Sequence, residues 1–156
     1  MAVAAHVSKV SKDYSPYGYS ILEEVTATVT TQAAGSSDPI AQILNIVSDA
    51  DIFLEDVSVY ALSAITPSDT NFITIKVASF SQGASDEVFH VDVTTKASSL
   101  NGLVDDGIKS VGALASPVIS ATPARVLALQ VIKSVNDDAN VNSKLVAVSV
   151  RYRRKA

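Results

Sequence analysis

The sequence predicts an all-β protein, an antiparallel β-sandwich carrying an extended N-terminal arm. Composition is one reason. Apolar residues make up 47% of the chain, mostly Val, Ala, Ile and Leu, with one Met and no Trp, which suits pleated, half-buried surfaces better than helix bundles. Alternation within residues 51–95 is the other. Ile73, Ile75 and Val77 share one face of a run, with Thr74 and Lys76 opposite; Phe89, Val91 and Val93 repeat the pattern against His90 and Asp92. Period-two alternation marks strands with one face on a core and one in water. At 156 residues the chain can bury a core of its own as a single domain.

The run before these two changes parity. Ile52 and Leu54 fall on one parity, and Val57, Val59 and Ala61 on the other. One extra residue near Glu55 and Asp56, a β-bulge, would return all five side chains to one face. The connectors at 66–69 and 81–85 carry Pro67, Gly83, Ser and Asp, residues that fix or permit turn backbone. The three runs are expected to form an antiparallel meander.

Elsewhere the expectation is built strand by strand. Val25, Ala27 and Val29 alternate with Thr26, Thr28 and Thr30, a long strand ended by the turn residues at 34–39. Ile40, Ile43, Leu44 and Val47 have helical spacing behind Asp38 and Pro39. The segment is short for a helix, and the β-rich residues at 43–47 favour a strand. In residues 96–117, Leu100, Leu103, Val104 and Val111 could form a turn or two of helix. Gly102, Gly107 and Gly112, each costing about 1 kcal/mol in a helix interior, keep any helix short. Long ordered loops of this kind usually make contacts. Residues 124–133 are apolar on both faces, so this strand is expected to be covered on both sides, by the opposite sheet and by a long loop or neighbouring subunit. The final strand places Val146, Val148, Val150 and Tyr152 inward, with Ser149, Arg151 and Arg153 outward.

Residues 1–18 read as the arm and 19–156 as one sandwich domain. The arm has scattered valines and then Tyr14, Tyr17 and Tyr19 around Pro16 and Gly18. These tyrosines could stack on a sugar or base, or lie across a neighbouring surface as packing. The absence of clustered Lys or Arg beside them favours packing.

Charge is unevenly spread. The last thirteen residues carry Lys144, Arg151, Arg153, Arg154 and Lys155 without an acid, a net +5 within an overall −4, leaving −9 on the other 143. Arg151, Arg153 and Arg154 thus form a basic tip on an acidic body. Such a body would repel phosphate, so nucleic acid is not expected as a partner and the tip reads as a solvated tail or a foot on an acidic protein surface.

Several chemistries find little support. No Cys is present, which removes disulfides, thiol nucleophiles and thiolate metal sites. No apolar run approaches 18 residues and no continuous apolar leader opens the chain, so neither a membrane span nor a signal peptide is expected. His90 and Asp92 share a strand face but lack a nucleophile or second histidine nearby, and read as a wet face. The pairs Asp49/Asp51, Asp105/Asp106 and Asp137/Asp138 lack Ca²⁺-loop spacing and read as turn residues. No phosphate-loop, dinucleotide or zinc motif occurs; the expectation is a protein without catalytic residues, metal or cofactor.

Residues 51–152 resemble the small jelly-roll-like proteins of tailed-phage virions, in particular the capsid decoration (cement) proteins. The runs IFLEDVSVYAL, NFITIKVASF, EVFHVDVTT, PARVLALQVIK and KLVAVSVRYRR carry the resemblance over roughly two-thirds of the chain. It implies a jelly-roll-like sandwich that assembles with itself, commonly as a homotrimer. Such proteins sit on the outer surface of the virion capsid, bind the major capsid protein and stabilise the shell without catalysis. Tyr14, Tyr17 and Tyr19 in the arm, and Leu103 and Val104 in the long loop, are then the candidate capsid or subunit contacts. The first 20 residues do not match the pattern. The alternative is a carbohydrate-binding or fibre-type sandwich module, for which only the tyrosines at 14–19 are suited; a sandwich hydrolase ranks third.

Overall fold

Ten strands form among the residues that the computed structural model describes, which are 6–12, 19–35, 40–81, 87–99, 108–111, 114 and 116–155. They are β1 (His6–Lys12), β2 (Tyr19–Thr30), β3 (Ile40–Val47), β4 (Ile52–Ala61) and β5 (Ile73–Ser81). Then come β6 (Val88–Thr94), β7 (Ile108–Val111), β8 (Val118–Ile119), β9 (Arg125–Lys133) and β10 (Leu145–Lys155). A six-stranded sheet has the order β1-β2-β10-β4-β7, with β8 also on β4; a four-stranded sheet has the order β3-β9-β5-β6. Every pairing is antiparallel.

This is jelly-roll topology. The chain passes between the sheets at β2–β3, β3–β4, β4–β5, β6–β7 and onward to β9 and β10; β5–β6 pair as neighbours in one sheet. The meander expected for residues 51–95 is therefore corrected. β5 and β6 do form a hairpin, but β4 belongs to the opposite sheet, and residues 62–72 cross between layers. Alternation identifies strands and cannot choose their partners, because backbone ladders form between any two extended segments.

The inward faces meet as predicted. Val25, Ala27, Val29, Val146, Val148, Val150 and Tyr152 face Ile73, Ile75, Val77, Val91, Val93, Leu127, Leu129 and Val131 across the core, all buried. Each fully buried Val, Leu or Ile contributes about 1.5–3 kcal/mol relative to exposure. The bulge in β4 is present: Arg151 pairs with Asp56 and Tyr152 with Leu54, so Glu55 is the extra residue. Ile52, Leu54, Val57, Val59 and Ala61 all reach the core.

Two further bulges explain the helix-like spacing in β3, where the favoured strand is present, and a reading that changed in β6. In β3, Ile43 pairs with Ala128 and Asn45 with Leu127, so Leu44 is extra. The bulge puts Leu44 and Val47 on the core at a spacing of three, which gave a strand the periodicity of a helix. In β6, Val91 pairs with Val77 but Phe89 with Ala78, so His90 is extra. A bulged residue is re-aimed, and His90 is buried, 3% exposed, instead of lying on the wet face expected for it. The 96–117 region likewise differs: Ile108–Val111, partly assigned to a helical turn, is a strand on β4. Residues 6–12, read as part of the arm, add an edge strand to β2.

One end of the sandwich is closed by loops around a buried lysine. Lys133, 4% exposed, donates to the carbonyls of Ala33 (2.8 Å) and Asn136 (3.0 Å) and to Asn142 Oδ1 (2.7 Å). Three acceptors satisfy the three N–H bonds of the ammonium. Asp138 accepts from Asn71 Nδ2 and the Asn140 amide, and Asp137 from Asn142 Nδ2, which is the turn role expected of this acidic pair.

Candidate assembly surface

The outward face of the four-stranded sheet carries two of the exposed large hydrophobic residues, Ile43 and Ile46; the others among the described residues, Leu62 and Val118, stand apart from it. Its rows follow from register, since residues directly opposite share a face. Ile43 lies opposite Ala128 and Ala128 opposite Ala78; one row along, Ile46 lies opposite Val126 and Val126 opposite Phe80. Ala128 and Ala78 are buried between larger neighbours, whereas Ile43 and Ile46 are 54% and 58% exposed. The next row, Ala41, Gln130, Lys76 and Asp92, is polar and bounds the stripe. This is the second apolar face of residues 124–133 expected from sequence, and β3 and β5 extend it.

β3 is also a sheet edge, with β9 on one side and no partner on the other among the described residues. Exposed edges are normally guarded by charge or proline. The β3 sequence IAQILNIV has neither. Sequence reading favoured a strand here but did not single out Ile43 and Ile46 as a shared outward face, because the bulge at Leu44 changes the parity between them; the missing charge over eight residues was the available signal.

The six-stranded sheet presents the opposite character. β10 is flanked by β2 and β4, so the basic tip is the end of an inner strand and not a tail. Arg151 pairs with Asp56 (3.3 Å), Arg153 with Glu55, Arg154 with Glu23 (2.8 Å) and Lys155 with Asp51 (3.6 Å). Acids from the two neighbouring strands, and Asp51 just before β4, thus balance charges that looked unopposed in sequence. Arg154 Nε and Nη2 grip both oxygens of Glu23, a bidentate geometry. Glu23 also accepts from Tyr152 Oη (2.7 Å), which accepts in turn from Asn45 Nδ2 on the facing sheet (3.0 Å). Arg154 holds the Glu23 carboxyl below its usual range, against the opposing effect of burial and with help from Tyr152. Burial first, and then Glu23, push the Tyr152 phenol up. This network ties the two sheets together at the end opposite Lys133.

Of the contact residues expected from sequence, Tyr19 opens β2 opposite Lys155. Tyr14, Tyr17, Leu103 and Val104 lie outside the described residues. Lys12 and Tyr19 sit at the Glu23 end of the six-stranded sheet, whereas Thr94 and Ile108 sit toward the Lys133 end. No group of three or more His, Cys, Asp or Glu side chains among the described residues is placed to hold a metal.

No family model and no curated protein matches the chain. Among solved structures, it superposes on a chain of the cyanophage Pam1 capsid asymmetric unit with a TM-score of 0.51. The two are 13% identical, over 94% of this chain and 93% of that one. The chain has the fold of a chain in a phage capsid. Looser likenesses are found to the acid-stable capsid of Helicobacter pylori bacteriophage KHP30 and to a Clostridium thermocellum xylanase. The first gives a TM-score of 0.48 at 12% identity over 86% of this chain and 94% of that one. The second, CBM22-1–GH10 modules complexed with xylohexaose, gives 0.41 at 11% identity over 100% and 26%. Both scores lie too low to extend the comparison beyond the Pam1 chain.

Proposed function

We propose that this protein is a non-enzymatic structural component of a phage virion, a decoration protein that forms a homotrimer on the outer surface of the assembled capsid. The observation that carries the proposal is the apolar stripe of Ile43, Ile46, Val126 and Phe80 on an uncharged edge strand, in a jelly roll sharing its fold with a phage capsid chain. The stripe supports self-association. A trimer then engages the major capsid protein at several points at once, and such multivalency raises affinity by about 10² or more without new contact types. The capsid contact is assigned to the arm through Tyr14, Tyr17 and Tyr19. Leu103 and Val104, in the long loop, form the second candidate foot. The ion pairs of Arg151, Arg153 and Arg154 support a protein surface, rather than nucleic acid or membrane, as the partner.

The test has two parts. Sedimentation should give three times the 16.3 kDa chain mass at micromolar concentration, and the double substitution I43K/I46K should yield a folded monomer. Co-sedimentation with assembled capsids, but not with free capsid subunits, should be seen for the intact chain and lost when Tyr14, Tyr17 and Tyr19 are replaced by Ser. A monomeric wild type overturns the trimer. A chain that ignores capsids but binds glycans through those tyrosines establishes the carbohydrate-module reading instead.

A further inference from the structure

β3 has neither charge nor proline to guard its edge, yet two of the backbone groups it turns to the open side are taken. The neighbouring strands show which groups these are. The Ser134 amide donates to the Phe72 carbonyl (2.9 Å), one residue beyond a β5–β9 ladder whose register runs unbroken from Lys133 opposite Ile73 to Arg125 opposite Ser81. In an antiparallel sheet alternate residues turn their backbone groups to alternate sides. Ala128 and Val126, an even number of residues from Ser134, therefore turn theirs toward β5. Ile43 and Ile46 stand opposite those two, so their own N–H and C=O groups point away from β9, to the open edge. The extra Leu44 is why residues three apart share that direction.

Two side-chain amides occupy these positions. Gln42 Nε2 donates to the Ile43 carbonyl (3.2 Å), and Asn45 Oδ1 accepts from the Ile46 amide (2.8 Å). Asn45 is also fixed from behind. Tyr152 Oη gives its proton to Glu23 (2.7 Å), so toward Asn45 it can only accept, and it does so from Nδ2 (3.0 Å). That leaves Oδ1 as the end facing Ile46. Glu23 is itself gripped by Arg154, so the cap on the edge is anchored in the network that ties the two sheets together.

We infer that Gln42 and Asn45 close the β3 edge to strand addition, so that a second copy of this chain meets β3 through the Ile43–Ile46 face. An added strand binds through the row of free N–H and C=O groups that an edge presents. Here it must displace both amides, and the bulge breaks the even spacing of the row. The outward face has no such guard, and its exposed members Ile43 and Ile46 carry no charge to repel a like surface. The distinction decides how assembly ends. Joining β3 of one copy to β6, the other edge of the same sheet, regenerates a free edge at every step and has no natural end. Capping β3 removes that route.

The face contact rests on the self-association proposed above; the cap does not, and the test separates them. In Q42A/N45A, exchange of the Ile46 amide should rise about fivefold, the effect of one net hydrogen bond. Sedimentation should then show species that grow with concentration beyond the wild-type assembly. Adding A41K, a lysine on the same strand outside the apolar stripe, should return that variant to a finite size. Y152F, which frees Asn45 from behind, should raise Ile46 exchange with both amides present, and decides alone if Q42A/N45A does not fold. Unchanged Ile46 exchange overturns the cap, as does a Q42A/N45A chain that keeps the wild-type size or grows despite A41K. A monomeric wild type whose double variant grows by the A41K-sensitive route upholds the cap and overturns the trimer.

Discussion

Deleting Glu55 from the middle of β4 should be nearly harmless, although a deletion inside an inner strand ordinarily turns half its side chains to the wrong face. Glu55 is the extra residue of the bulge, with Leu54 opposite Tyr152 and Asp56 opposite Arg151. Without it, Ile52, Leu54, Val57, Val59 and Ala61 alternate without interruption, and every other pairing of β4 with β7, β8 and β10 is retained. What is lost is the partly exposed ion pair with Arg153, which contributes no more than about 1 kcal/mol, together with some local twist. The expected destabilisation is below about 2 kcal/mol. Deleting Ser58 is the control. It would turn Ile52, Leu54 and Val57 outward or force the rest of the strand to slip. Three buried side chains at about 1.5–3 kcal/mol each amount to roughly 5–9 kcal/mol, before any carboxylate is carried inward. That is comparable with a whole domain's stability of about 5–15 kcal/mol. Urea unfolding followed by circular dichroism separates the two outcomes. A Glu55 deletion that costs as much as the Ser58 deletion would refute the bulge as the source of the parity change.

Three further outcomes are expected. Lys133→Met keeps the length of the stem but leaves the acceptors on Ala33, Asn136 and Asn142 without their ammonium; it should destabilise by about 2–4 kcal/mol in urea titrations, with amide exchange accelerated first in 134–144. Glu23 is held below its usual 4.5, so its stabilising effect is complete above that value and is lost as pH falls through the folded pKa. Glu23→Gln should therefore flatten the loss of stability below about pH 4.5. Val91→Asp should unfold the chain, since an unpaired carboxylate in the core costs several kcal/mol, whereas Asp92→Ala, one residue along and exposed, should change the urea midpoint by less than about 0.5 kcal/mol; equal effects would contradict the register of β6.

Local alternation by itself determined that this chain is built of strands, which side chains form its core, and where β4 carries an extra residue. These are properties of a pleat with a period of two, legible within eight or ten residues. Partner choice was not legible there. The assignment of β4 to one sheet and β5–β6 to the other depends on backbone hydrogen bonds between distant segments, and those bonds do not read side-chain identity. The same nonlocality hid the basic tip's balance, because Glu23, Glu55 and Asp56 become neighbours of Arg151, Arg153 and Arg154 only once β2 and β4 enclose β10. It also hid His90 and the Ile43–Ile46 stripe. A bulge breaks the period that sequence reading depends on, and only the partner strand shows which residue is the extra one.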